Sequence, residues 1–242
     1  MRLLTLPLFI FISIVTSAQN DLTRKELYHD TYKPEEIIDS VYGIIKYEPL
    51  NMMLGDKSTR LDANGYAANG FLEDYYTTGE LLHKGFYVDG QLKVYKNYYP
   101  NGNMERNFRM TDIKKSKMTL FYKDGTMKSD IQYIENEALK WVDYYPNGMI
   151  EFEEEYDKSF QYYIKKANYY KTGTPENVLE LQDKKKLIYL QTYYHDNGQI
   201  KEQGQVKYNK ALFDYERSGI WKKFDKNGAA IGQDKYINGV AN

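Results

Sequence analysis

Short runs of alternating apolar and polar residues, each ending in an aromatic pair and a turn, recur along most of this chain. A glycine follows each pair after two turn-forming residues. Gly79, Gly102, Gly125 and Gly148 each lie 23 residues after the last. Less regular copies of the unit contain Gly173, Gly198 and Gly228. A fixed period of this length indicates a repeat array, in which one small unit packs against its neighbours.

The turn residues predict that each unit is a β-hairpin. Asn-Gly and Asp-Gly between alternating runs are strong hairpin signals, as in Pro100-Asn101-Gly102. A two-residue loop would need an N–H that Pro100 lacks, so we predict a three-residue loop with Gly102 in the left-handed region. The seven glycines are therefore structural turn residues. These units predict an all-β fold, a repetitive antiparallel hairpin meander over residues 61–242.

This loop sorts the aromatic pairs onto two faces. Tyr98 is expected opposite Met104 and Tyr99 opposite Asn103, whereas a two-residue loop would pair Tyr99 with Met104. We expect the first aromatics and an aliphatic column to be buried. The second aromatics should then form an exposed stripe, together with Glu105, Lys128 and Glu151. The candidate binding residues on this stripe are Tyr76, Tyr95, Tyr99, Tyr122, Trp141 and Tyr145.

Two interpretations of the stripe stay open. Aromatic columns stabilise neighbouring strands whatever the protein does. Rows of exposed amphipathic rings are also enriched at protein interfaces.

Residues 1–18 have the pattern of a secretory signal peptide. Arg2 precedes an apolar run from Leu3 to Val15, and small residues end at Ala18. A membrane anchor is the alternative, but the run is shorter than the roughly 20 residues that span a bilayer. We expect cleavage near Ala18, export to the periplasm or the medium, and no transmembrane segment in the mature chain. Residues 19–60 lack the repeat, so we interpret them as a lead-in or cap.

The amino-acid composition limits the kinds of site that this protein can form. The chain has no cysteine, which excludes disulfides, thiol catalysis and thiolate metal sites. The net charge of −1 does not indicate a nucleic-acid partner, which would favour a concentrated basic face. The 26 tyrosines suit a thin sheet, because each ring can be buried while its hydroxyl reaches water.

No catalytic or metal-binding constellation stands out. His29, His83 and His195 are far apart in sequence, and no nucleophile-elbow motif accompanies them. The segment from Asp225 to Gly228 is better interpreted as a turn than as a calcium loop. We expect no catalytic residue, no metal and no cofactor.

The densest acidic cluster is Glu151, Glu153, Glu154 and Glu155. Strand alternation would place Glu151, Glu153 and Glu155 on one face. A solvated strand is favoured over a glycosidase pair, because a flat face offers no cleft.

The segments from Trp141 to Ile150 and from Trp221 to Gly228 resemble the bacterial MORN-repeat variant family, whose unit places an aromatic before Tyr-Tyr, x-Asn-Gly and an alternating strand. The resemblance covers residues 65–242. It implies a repetitive antiparallel β-hairpin meander that forms an open, twisted, single-layer sheet and is used for protein association. Some bacterial members are described as antitoxin-like, and eukaryotic MORN repeats have been linked to membrane lipids and dimerisation.

We therefore expect an exported, non-enzymatic binding or scaffold protein. The expected partner is a protein, or a glycan stacked on the aromatic stripe. One alternative is an antitoxin or immunity-like protein that neutralises a toxin. A second is a hydrolase that uses the acidic strand residues.

Overall fold

The computed structural model describes residues 31–55 and 57–242. The predicted signal peptide and residues 19–30 of the lead-in lie outside this range. Its strands are β1 Thr31–Tyr32, β2 Ile38–Asp39, β3 Gly43–Ile44, β4 Gly70–Tyr76, β5 Leu81–Val88, β6 Gln91–Tyr98, β7 Met104–Asp112, β8 Lys115–Phe121, β9 Met127–Ile134, β10 Glu137–Tyr144, β11 Ile150–Tyr156, β12 Tyr163–Tyr169, β13 Pro175–Asp183, β14 Ile188–Tyr194, β15 Ile200–Asn209, β16 Asp214–Phe224, β17 Ala230–Ile237 and β18 Val240–Ala241.

Helical structure in the described residues is short. The helix α1 spans Pro34–Ile37, and two 3₁₀ turns span Glu48–Leu50 and Met52–Leu54. Proline at the start of α1 fits a first helical position, where no N–H partner is needed. Across residues 31–55 and 57–242, no helix has the length and apolar character to cross a membrane.

One open sheet of sixteen strands accounts for most of the described chain. Strands β4 to β18 lie side by side in chain order, each antiparallel to the next, and β1 pairs in parallel with the outer edge of β4. The hairpin β2–β3 forms a separate small sheet. The predicted all-β meander is confirmed.

The turns have the three-residue form that Pro100 predicts. The Tyr99 N–H donates to the Asn103 carbonyl at 2.8 Å, the Gly102 N–H donates to the Tyr99 carbonyl at 2.9 Å, and Tyr98 pairs with Met104. The turn glycines all have positive φ, between +82° and +100°: Gly79, Gly102, Gly125, Gly148, Gly173, Gly198 and Gly228. A side chain there would be strained, which explains why glycine recurs.

A β-bulge follows each of these turns. Tyr98 faces Met104 and Asn97 faces Arg106, so Glu105 is an extra residue on the returning strand. Equivalent shifts occur in the other hairpins. We call the extra residues the bulge column: Leu82, Glu105, Lys128, Glu151, Glu176, Lys201 and Ile231.

The N-terminal segment covers one face of the first strands. We call residues 31–55 and 57–68 the cap, and the sheet face that carries the second aromatics the cap face. Ile37, Ile44 and Tyr47 of the cap are buried in one apolar cluster with sheet residues such as Phe108 and Met118. The cap therefore gives a thin sheet a second layer against which to exclude water.

A second apolar cluster lies near the C-terminal end of the array. Trp221 is completely buried there, with Leu179, Tyr189 and Val206. Its indole ring lies directly over Gly204, where any Cβ would overlap the ring. Glycine at this position lets a strand accept the large ring of its neighbour.

Candidate functional site

The second aromatic of each pair connects one hairpin to the next. The Tyr99 hydroxyl donates to the Phe121 carbonyl at 3.0 Å, and Tyr122 donates to the Tyr144 carbonyl at 2.6 Å. The same bond links Tyr76 to Tyr98, Tyr145 to Tyr169 and Tyr170 to Tyr194. We call these five bonds the tyrosine ladder. His195 continues it by contacting the Phe224 carbonyl through Nε2 at 3.0 Å.

The expectation that this face is exposed is wrong in the N-terminal half of the sheet. Tyr76, Tyr95 and Tyr99 are 0%, 3% and 6% exposed. The first aromatics, such as Tyr98, are less buried than their neighbours. The physical reason is the cap, which inserts Ile44 and its neighbours over the second aromatics. These three rings are packed into the structure, whereas Tyr122, Trp141 and Tyr145 are only partly buried.

A buried polar cluster fastens the cap to the sheet. The Asp74 carboxylate accepts hydrogen bonds from the Tyr47 hydroxyl at 2.8 Å and from both Arg60 guanidinium nitrogens at 2.8 and 2.6 Å. Tyr47 stacks on the His83 ring with a centroid separation of 3.7 Å. Tyr47 and Arg60 belong to the cap, and Asp74 and His83 to the sheet, so this cluster joins the two layers.

His83 is enclosed on all sides. Its Nδ1 lies 2.8 Å from Asn97 Oδ1 and its Nε2 lies 2.9 Å from the Tyr87 hydroxyl. Burial lowers the pKa of His83 to about 4, since removal from water disfavours the charged imidazolium. The ring is therefore neutral at physiological pH and acts as a packed hydrogen-bonding group. His83 therefore lies on a strand, β5, but it is buried and not at the surface.

Two charged residues of the bulge column hold the cap main chain. Glu105 Oε1 accepts the Ile44 N–H at 3.2 Å, and Lys128 Nζ donates to the Val41 carbonyl at 2.5 Å. Burial raises the pKa of Glu105, and this effect is larger than the lowering caused by the neighbouring Arg106 charge. A Cβ at Gly43 would overlap the Glu105 carboxylate, so glycine allows the cap backbone to approach this closely.

A cleft of about 650 Å³ lies at the edge of the area that the cap covers on the sheet. One wall is the cap hairpin, through Val41, Tyr42 and Ile45. The floor and the other wall come from strands β8 to β11 and include Met118, Leu120, Tyr122, Ile131, Tyr133, Trp141 and Glu151. Of the predicted binding residues, the structure brings Tyr122 and Trp141 together here, and Tyr145 lies on the next hairpin turn.

Polar groups inside the cleft largely satisfy one another. The Trp141 indole N–H donates to Asp143 Oδ1 at 2.6 Å, and the Ser129 hydroxyl donates to the same oxygen at 2.5 Å. These bonds fix the indole ring at the cleft floor. The accessible surface of the cleft is mainly apolar; its other charged lining residues are Lys128, Glu151 and the ion pair of Glu48 with Arg106.

The acidic run is divided by the bulge. Glu153 pairs with Lys165 at 2.5 Å and Glu155 pairs with Lys140 at 3.4 Å. Glu151, at the bulge, lines the cleft on the cap face, so the expectation that it shares a face with Glu153 and Glu155 is wrong. Within the described part of the chain, no group of three or more His, Asp or Glu side chains is arranged to hold a metal ion.

Sequence reasoning missed the cap's contribution to the cleft. Val41, Tyr42 and Ile45 carry no repeat signal, and no pattern within residues 31–68 assigns them to a particular strand. Their apolar run, Val41-Tyr42-Gly43-Ile44-Ile45, was the available indication that this segment packs on the array.

Comparison with solved structures and with curated proteins gave the following results. Solved structures with some similarity include TarM, at 12% identity and a TM-score of 0.26, where the match covers 38% of this chain and 18% of TarM. A mutant of S. aureus TarM in complex with fondaparinux, α-GlcNAc-glycerol and UDP matches at 10% identity and a TM-score of 0.25, covering 51% of this chain and 19% of TarM. The match thus spans less than a fifth of either TarM chain. No curated protein matches this chain.

The family match falls on two of the hairpin units described above. Residues 139–158 and 190–208 match the family model described as MORN repeat variant. The first segment contains Tyr144, Tyr145 and Gly148, and the second contains Tyr193, Tyr194 and Gly198. Both matched segments thus consist of an aromatic pair, a glycine turn and the returning strand. Two hairpin units of this chain therefore match the MORN repeat variant.

Proposed function

We propose that this chain is an exported, non-enzymatic binding or scaffold protein that holds a protein partner in the cleft beside the cap. The family match supports a repeat-based binding role. One observation carries the choice of site: Val41, Tyr42 and Ile45 are 61%, 67% and 45% exposed although they line a concave, apolar surface. Exposed apolar residues gathered in a cleft are typical of binding sites.

A protein side chain fits this lining better than a sugar. A glycan would need free donors and acceptors for its hydroxyls, but Trp141, Asp143 and Ser129 already bond to one another. An aliphatic or aromatic side chain needs only apolar contact. Burial of such a side chain contributes about 1.5–3 kcal/mol, which suits a modular protein interface.

The binding test removes the exposed wall of the cleft. The double variant Val41→Ser, Tyr42→Ser keeps the sheet intact, because both side chains are mostly exposed. The matched control is Leu212→Ser, Phe213→Ser, which removes two apolar side chains that are 65% and 83% exposed elsewhere. Binding to an immobilised peptide array and to a glycan array is measured for the mature chain and both variants.

We expect the mature chain to bind peptides that carry a large apolar residue, and the cleft variant to lose that binding by about tenfold or more. The control variant should bind as the parent does. Equal loss in both variants, or binding confined to glycans, would show that the cleft does not hold a protein.

Export is the second part of the proposal and rests on residues 1–18. Expression of the full chain in a bacterium, followed by fractionation and mass determination of the intact protein, tests it. A periplasmic or extracellular product that begins near Gln19 is expected. A cytoplasmic product that retains Arg2 would contradict export.

A further inference from the structure

The cap shows how a peptide main chain can be held on the cap face. Its backbone at Ile44 and Val41 is held by Glu105 and Lys128, two successive residues of the bulge column. Arg106 adds a bond from Nη2 to the Tyr42 carbonyl at 3.2 Å. Within this protein, charged bulge residues therefore act as main-chain ligands for a segment that crosses the strands.

The column continues beyond the last strand that the cap covers. Glu151 and Glu176 occupy the same bulge position in the next two hairpins, and both are exposed. Among the described residues neither carboxylate forms an ion pair. Glu151 lines the cleft, and Glu176 lies one hairpin further along the same face.

Tyr145 connects the two bulges: its own turn leads to Glu151, and its hydroxyl donates to the carbonyl of Tyr169, which pairs with Pro175 next to Glu176. Partial desolvation, followed by the charges of Glu151 and Glu176, raises the pKa of Tyr145. Lys171 Nζ is 6.0 Å from the ring centroid, and Lys128 and Lys201 lie at the two ends of this stretch of the column. Lys171 of this chain lies only at the 6.0 Å limit of cation–π range and forms no ion pair with Glu151 or Glu176, so these two carboxylates favour a cationic side chain from a partner.

We propose that Glu151 and Glu176 extend the peptide-binding groove and select an extended, basic segment of a partner protein. An apolar side chain of that segment enters the cleft, and a Lys or Arg side chain lies between the two carboxylates over Tyr145. This inference rests on the proposed function, because it names the partner's chemistry at the same site.

Strand geometry sets the spacing in the partner. Successive turns at the same edge of the sheet, such as those that carry Tyr122 and Tyr145, are two strands apart, which is about 10 Å. An extended chain advances about 3.3 Å per residue. The basic residue is therefore expected about three positions from the apolar one. A partner helix would not match this spacing, since it rises only about 1.5 Å per residue.

The test uses three short serine- and glycine-based peptides on the mature protein. Each contains one isoleucine, and the position three residues away is lysine, glutamine or glutamate. Affinity is measured by fluorescence anisotropy at low and high salt. The protein variants are Glu151→Gln, Glu176→Gln, and the control Glu35→Gln, Glu36→Gln, which removes two exposed carboxylates from the cap surface away from the cleft.

We expect the lysine peptide to bind the parent about tenfold more tightly than the glutamine peptide, and salt to reduce this difference. Glu151→Gln, Glu176→Gln should abolish the preference for lysine over glutamine, while the control variant keeps this preference. If the glutamine or glutamate peptide binds the parent as tightly as the lysine peptide, the basic selectivity is wrong and the cleft's binding role stands. If no peptide binds, both proposals fall.

Discussion

Replacing His83 by glutamine should flatten the acid dependence of stability. His83 is completely buried between Tyr47 of the cap and the Asn97 and Tyr87 side chains of the sheet. Asp74 and Arg60 are the charged groups that act on it, with opposite effects on its pKa. Glutamine keeps a polar group for Asn97 but cannot take up a proton.

The magnitude follows from the two pKa values. Burial lowers the pKa of His83 from 6.5 to about 4, so between these values the unfolded chain binds a proton that the folded chain does not. The neutral, buried His83 therefore makes its full contribution to the free energy of unfolding above pH 6.5, and this contribution is lost as the pH falls towards about 4. At about 1.4 kcal/mol per pH unit this amounts to about 3 kcal/mol, a large part of the stability of an ordinary domain.

The assay is urea unfolding of parent and His83→Gln, followed by tryptophan fluorescence at about pH 7 and about pH 4.5. Trp141 packs against the apolar cluster that contains the cap, so its emission reports on that region. The parent should lose about 2 kcal/mol more than the variant between the two pH values. Parallel losses in both proteins would refute the assignment of a low pKa to His83.

Two substitutions test the packing of the array by thermal or urea unfolding. Gly204→Ala should destabilise the protein by about 1–3 kcal/mol, because its Cβ overlaps the Trp221 ring; Gly232→Ala, where nothing lies within 4 Å, is the control, and an equal effect at both sites would contradict this packing. Tyr99→Phe removes one ladder bond and should cost about 1 kcal/mol. The Tyr98 hydroxyl forms no hydrogen bond with the described residues, so Tyr98→Phe should change the free energy of unfolding by only a few tenths of a kcal/mol. A neutral Tyr99→Phe would argue against the ladder.

The hairpin register could be predicted from the sequence because one local constraint decides it. Pro100 lacks the N–H that a two-residue loop needs, and the pairing of Tyr98 with Met104 follows. The membership of each face followed from alternation. The choice of the buried face did not, since it depends on the cap, whose contact with Glu105 joins residues 61 positions apart. Long-range packing of a segment without repeats leaves no local signal.

The candidate site was predicted only in part for the same reason. Trp141 and Tyr122 belong to the repeat and were identified from it, but they form a cleft only together with Tyr42 and Val41 of the cap. The bulge was also missed at Glu151, because strict alternation allows no extra residue. Turn chemistry specifies a hairpin, whereas a concave surface requires two segments that are distant in sequence.

The tyrosine ladder has a consequence for how the molecule comes apart. Each bond joins a hairpin to its successor, so it acts as a nearest-neighbour coupling energy in a one-dimensional array. A hairpin whose neighbour has unfolded loses both the strand pairing and the ladder bond. Stability supplied by the cap is thereby transmitted to strands that the cap never touches. Unfolding should begin at β17 and β18, where most side chains are exposed, and proceed towards the cap.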